Sequence, residues 1–151
     1  MKKFKPLLLS ISIILASSSY YNMALADNTE QLIKFRQNTM KSLSANSKMI
    51  KAVLTQNINS QHLAQLTTNL SASAKMMKGN FPEGSDFGDT DAKEAIWENK
   101  ADFDSKIKDF EKATSELLTA VKQNAAKSKL MDSYQAVGKN CKSCHKKYRE
   151  K

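Results

Sequence analysis

The sequence predicts an all-α protein, an antiparallel up-down-up-down four-helix bundle. Three observations carry that prediction. Apolar residues recur every three or four positions in four separate stretches. Glycine and proline are scarce, four and two in 151 residues, so little interrupts a helix. No stretch alternates apolar and polar residues in the way a half-buried strand requires.

The first stretch spans roughly 29–57, with Ile33, Met40, Leu43, Ile50 and Leu54 on one face. The second spans roughly 60–78, with Leu63, Leu66, Leu70, Ala74 and Met77. The third spans roughly 92–123, with Ile96, Phe103, Ile107, Phe110, Leu117 and Val121. The fourth spans roughly 128–149, with Leu130, Tyr134, Val137, Cys141 and Tyr148. A short polar link, Asn57 to Ser60, separates the first pair. Gly79 to Ser85 holds two glycines and Pro82, and ends the second helix. Thr90 or Asp91 is placed to cap the third, and Gln123 to Ser128 is a weak break that a tight turn can fill. Short connections favour antiparallel neighbours. Several inward positions hold Ser, Thr or Ala, which leaves room inside the bundle for a planar cofactor.

The first 26 residues have the layout of a secretory leader. Lys2, Lys3 and Lys5 precede an apolar run, Leu7 to Ala16, and Ala24-Leu25-Ala26 is a small-x-small cleavage signal. The run is roughly half the length a bilayer span needs, so cleavage before Asp27 is expected rather than a membrane anchor. The functional domain is then 27–151, within the size of one domain. Its charge is +9 less the leader's three lysines, or +6. An exported chain with lysines spread along it is no nucleic-acid binder. Most of these lysines read as solvated surface; the sharper reading is steering toward an acidic partner or the holding of acidic groups on a cofactor.

The two cysteines stand three apart near the C-terminus, in Cys141-Lys142-Ser143-Cys144-His145. A disulfide between them would close almost no loop and stabilise little. C-x-x-C-H is the c-type haem attachment pattern. Positions three apart are neighbours on one helix face, so both thiols can meet the vinyl groups along one edge of a porphyrin. His145, one turn after Cys141, can then reach the iron as proximal ligand. A thioredoxin-like pair would need a strand-to-helix setting, and a zinc site would need a fourth ligand, for which His62 is the one other histidine. The cofactor expected is one covalent haem c. Met40, one turn after Arg36, is a candidate for the distal face, although a methionine at helical spacing is ordinarily packing. Met49, Met76, Met77 and Met131 are read as core, Trp97 as a core or interface residue, and Arg36 as a surface charge unless propionates lie nearby. No acid–base pair or nucleophile stands beside the motif, so an enzyme is not expected.

The chain resembles the cytochrome c′ family, the class II c-type cytochromes. Gln31-Leu32-Ile33-Lys34-Phe35-Arg36-Gln37 is similar to the family's opening helix. Phe81 to Ser85 with Ala95-Ile96-Trp97-Glu98-Asn99 is similar to its central loop and third helix, and Cys141 to Arg149 to its haem helix. The likeness covers 30–149. It implies a four-helix bundle, a periplasmic location and either of two functions. Low-spin members take a methionine from the first helix and carry electrons; high-spin members leave the sixth position open and bind nitric oxide or carbon monoxide. The distal position falls four residues after the arginine, at Met40, which favours the electron carrier. Arg36 would lie near a haem propionate. Partners would be periplasmic redox proteins, and the chain a monomer or a homodimer formed through its first two helices.

Overall fold

The computed structural model describes residues 11–56, 58 and 60–150, with side chains at 28–56, 58 and 61–150. The expected leader and its cleavage site therefore lie outside the residues whose side chains are described. Helix α1 is Ile11–Gln56, longer at its start than the expected 29–57. A single 3₁₀ turn, Ser60–His62, leads into α2, Leu63–Lys75. The expected third helix is divided into a one-turn α3, Ala95–Glu98, and α4, Lys100–Lys122. Helix α5 is Lys127–Tyr148. Among the described residues, no helix is long and apolar enough to cross a membrane.

The turns follow from local chemistry. Asn124 takes φ +50 just after α4, a conformation asparagine tolerates, and Asn124 N and Ala125 N donate to Val121 O and Ala120 O. Those two bonds cap α4 and reverse the chain into α5. Gly79, at φ +88, ends the second helical hairpin arm where a side chain would be strained. Ala92 is not helical, contrary to the expected start of the third helix. It pairs with Arg149 in an isolated antiparallel bridge, and Lys93 N donates to Tyr148 O. That bridge holds the chain extended until Glu94. Asn99, at φ −119 and ψ 44, then interrupts the helix after one turn.

Helices α1 and α2, α2 and α4, and α4 and α5 pack side by side, while α1 and α5 barely touch. The architecture is a four-helix bundle with one open seam. Ile50, Leu70, Phe103, Leu117 and Val137 are fully buried in its core. Polar residues among them are satisfied locally: Thr67 Oγ1 donates to Leu63 O at 2.9 Å, Thr114 Oγ1 to Glu111 O at 2.9 Å and Asn46 Nδ2 to Ser42 O at 2.9 Å. The methionines divide. Met77 is buried and Met131 partly so, but Met49 and Met76 are 46% and 47% exposed and are not the core residues their spacing suggested. Both fall on the outer side of their helices, where helical spacing alone does not tell the inner stripe from its neighbour.

Leu117→Ala should therefore cost about 2–5 kcal/mol by opening a void in the core. Met49→Ala should change stability by no more than about 0.5 kcal/mol. Urea unfolding of the two variants, followed by circular dichroism, measures the contrast.

Candidate haem site

On α5, Val137, Cys141, Cys144 and Tyr148 follow one another at helical spacing and form one stripe. Arg36, Met40, Leu43 and Ser47 form the matching stripe on α1. The two stripes do not interdigitate. They flank a cavity of about 680 Å³, within the range of pockets that hold organic cofactors. Leu70 and Met77 from the second arm, and Phe103, Ile107 and Phe110 from α4, form its apolar wall. Near the start of α5 the seam is tied, where Tyr134 Oη lies 3.1 Å from Ser47 Oγ and 3.1 Å from Ser47 O. The small inward residues expected from the sequence, among them Ala74, Ala113, Ser71 and Thr114, are buried.

Cys141, Cys144, His145 and Met40 all line this cavity, and Arg36 stands at one end. His62 is exposed, 3.1 Å from Gln61 Nε2 through its Nε2, and does not line it. Burial raises the pKa of both thiols; at Cys144 the charge of Lys106 opposes the rise. A redox-active thiol pair needs the reverse shift, so the electrostatics disfavour the thioredoxin-like reading. Partial desolvation lowers the pKa of His145, and the charge of Arg149 lowers it further. The imidazole is thereby kept neutral, with a lone pair free for a metal.

Arg36 is not the surface charge its residue type suggested. It is only 4% exposed. Nη1 donates to Ser85 Oγ at 3.1 Å and to Asn80 O at 3.4 Å, and Nη2 to Ser85 O at 3.1 Å and Thr90 Oγ1 at 2.7 Å. Its guanidinium lies 4.8 Å from the centre of the Phe81 ring. Phe81 packs edge-on against Phe103 at 4.7 Å, and Phe103 against Tyr148 at 5.1 Å. Trp97 caps this aromatic run, with Nε1 donating to Pro82 O at 2.8 Å. Burial lowers the pKa of Arg36, and among the described residues no carboxylate pairs with it. The residue retains its charge at neutral pH.

These residues fit a haem. Two thiols and an imidazole stand on one wall, apolar side chains form the rest, and cations suited to propionates are at hand in Arg36 and Lys106. Family comparison agrees. The model for the family described as cytochrome C′ matches residues 31–149. The chain belongs to the cytochrome c′ family. Haem c, bound covalently, is the cofactor of that family and of this member. Cytochrome c-554 of Cereibacter sphaeroides is 39% identical over 88 residues, 56% of this chain and 65% of the relative, so the match spans slightly under two thirds of that relative. Cytochrome c-556 of Agrobacterium tumefaciens (strain II Chrys) is 30% identical over 125 residues, 83% of this chain and 96% of the relative. Among solved structures, cytochrome c prime from Shewanella frigidimarina aligns with a TM-score of 0.77 at 30% identity, covering 82% of this chain and 97% of that one.

The sequence alone did not point to the contacts that hold the far end of the cavity. Ser85 and Thr90 act through Arg36, and Asp102 acts through α5: Tyr148 Oη donates to Asp102 Oδ2, and Lys147 Nζ lies 2.9 Å from the same atom. Acid residues at helical spacing carry no mark of a cross-helix partner, so nothing in the sequence singles out Asp102. Its hydrogen bonds to Tyr148 and Lys147 hold its carboxyl below the usual carboxylate range. A lowered folded-state pKa stabilises the fold above the unfolded value of about 3.9 and ceases to do so as pH falls through the folded value. Asp102→Asn should accordingly be less stable than the parent at neutral pH, and the difference should vanish in acid, as thermal unfolding across pH would show.

Proposed function

We propose that this member of the family is a periplasmic one-electron carrier whose haem is held by thioether bonds to Cys141 and Cys144 and ligated by His145 and Met40. The observation that carries this reading is the convergence of Met40, from α1, and His145, from α5, on one cavity. The bound haem supplies the redox chemistry, one electron gained or lost at iron. The chain's residues do the rest. Cys141 and Cys144 fix the group to α5, and His145 offers a neutral nitrogen on the same helix. Met40 offers a soft sulfur, which favours the ferrous state and raises the potential. Phe103, Ile107, Phe110 and Leu43 exclude water from the ring, and Arg36 offers charge to a propionate. Met40 and His145, which would hold the iron, both ride on long helices. The leader, cleaved before Asp27, accounts for export to the compartment where the haem is used.

Intact mass of the protein purified from a periplasmic extract should equal residues 27–151 plus one haem. A mass that includes the first 26 residues, or lacks the haem, would contradict export or attachment.

Met40→Ala separates the carrier from a gas-binding haem with five ligands. The parent should be low-spin and bind carbon monoxide slowly, because a thioether must first leave. The variant should turn high-spin, bind carbon monoxide at least about tenfold faster and show a lower potential. Absorption spectra, stopped-flow mixing and potentiometry measure these. A parent that is already high-spin and binds carbon monoxide freely makes Met40 packing only and replaces the carrier with the gas-binding reading.

A further inference from the structure

Charge is unevenly divided along this chain. Gln31 to Pro82 contains no acidic residue and seven lysines and arginines. Lys127 to Arg149 contains seven bases and one acid, Asp132. Glu83 to Glu98 reverses the pattern, with six acids and one lysine. Folding sets the two basic segments side by side, because α1 and α5 flank the open seam of the cavity.

Two lysines line that seam, and two more follow lining residues on α5. Lys41 and Lys48 are exposed on α1 and still line the cavity. Lys142 and Lys146 are exposed on α5, each one residue beyond a cavity-lining side chain, Cys141 and His145. Among the described residues none of the four has a carboxylate within ion-pair distance, whereas Lys100, Lys112 and Lys147 each have one. Unneutralised charge of one sign beside a cleft creates a field that gathers partners of the other sign. The acidic segment enters the cavity at the Arg36 end, through Thr90 and Asp91, and Asp91 is paired with Arg149 at 2.9 Å. The field therefore has a direction as well as a sign.

The surface between the lysines is small and polar. Ser44, Ser47 and Asn140 line the cavity there. A rim of this kind suits a small, wet, short-lived contact of the sort redox proteins make. It lacks the continuous apolar face that a helix needs to lie in a membrane surface.

We propose that the α1–α5 seam is the docking surface for an acidic redox protein. Lys41, Lys48, Lys142 and Lys146 attract the partner, and the acidic 83–98 segment fixes its orientation by repelling it from one end. The proposal names the partner of the electron carrier argued above and rests on that reading.

Plastocyanin, an acidic blue-copper protein, is a suitable probe in two forms. The zinc-substituted form cannot accept electrons and reports docking alone, by calorimetric titration. The oxidised copper form reports electron transfer, by stopped flow. Holoprotein should bind the zinc form at about 0.01 M ionic strength and lose at least about tenfold in affinity at about 0.15 M, as the Debye length contracts from about 30 to about 8 Å. K41E/K48E and K142E/K146E should each weaken binding at low salt by about tenfold or more. K75E/K122E, with the same change in net charge but off the cavity, should stay within about twofold. Unaltered haem absorption and midpoint potential in each variant confirm that only the surface has changed.

Equal loss in all three variants would mean that net charge alone acts and would overturn the seam. Unchanged binding in the seam variants would overturn it too. So would seam-dependent binding to phosphatidylserine vesicles without any effect on plastocyanin, which would make a membrane the occupant. Docking as expected, with no electron transfer to the copper form and a high-spin haem, would instead defeat the carrier reading and leave the surface standing.

Discussion

The fold is governed by one unclosed contact. In a bundle of four helices each helix ordinarily packs on two neighbours, and here α1 and α5 are denied theirs. A dry void of about 680 Å³ would cost on the order of 16 kcal/mol at the rate found for engineered cavities, more than the whole stability of most domains. The haem of the family is a group of the kind that fills a cavity of this size. The same constraint explains why α5 buries so little of itself, with only Val137 and Tyr148 fully covered. Its inner face is made for the cofactor rather than for another helix.

The end of the cavity near Arg36 is held by a different means. The long connection from Gly79 to Glu94 has no helix or strand of its own, and loops of that length are uncommon without a reason. Arg36 supplies the reason, since four of its hydrogen bonds end on Asn80, Ser85 and Thr90. Thr90 Oγ1 also accepts from Ala92 N at 3.1 Å, and Ala92 bridges to Arg149 just beyond α5. One buried side chain on α1 is thus linked through the loop to the end of the haem helix. The aromatic run from Phe81 to Tyr148 lies beneath this chain of contacts and gives it something rigid to rest on.

Much of this was legible in the residues. Ile50, Leu70, Leu117 and Val137 announce the core by spacing, because helical period and burial are both local properties. Cys141, Cys144 and His145 announce the haem because thioether attachment demands a fixed geometry within five residues. What spacing could not supply was the third dimension. Arg36 reads as a surface charge until the loop that buries it is in place, and it took the family resemblance to move it toward the site. Met49 and Met76 each stand one residue before a member of the inner stripe, Ile50 and Met77, and reading methionine by its residue type alone placed them inside. The break at Asn99 was also hidden. So was the extended start at Ala92, which rests on the bridge to Arg149, residues 57 positions apart that no window along the chain compares.

Arg36 bears on the potential as well as on the loop. A guanidinium buried among neutral oxygens is a charge without a counter-charge, and such burial costs stability unless an anion compensates it. Among the described residues no carboxylate pairs with it, so the acidic groups of a bound cofactor are the natural complement. Full compensation is not required for the charge to act. Oxidation adds a positive charge at the iron, and a cation held nearby in a medium of low dielectric opposes that addition. In the proposed arrangement Arg36 would therefore favour the reduced state, the same direction in which a methionine sulfur offered to iron by Met40 would act. The lysines at the seam push the same way, but they stand in solvent and are screened by salt. In the proposed arrangement the tuning is therefore divided by burial: Arg36 and Met40 set the potential, and Lys41, Lys48, Lys142 and Lys146 choose the partner with little effect on it.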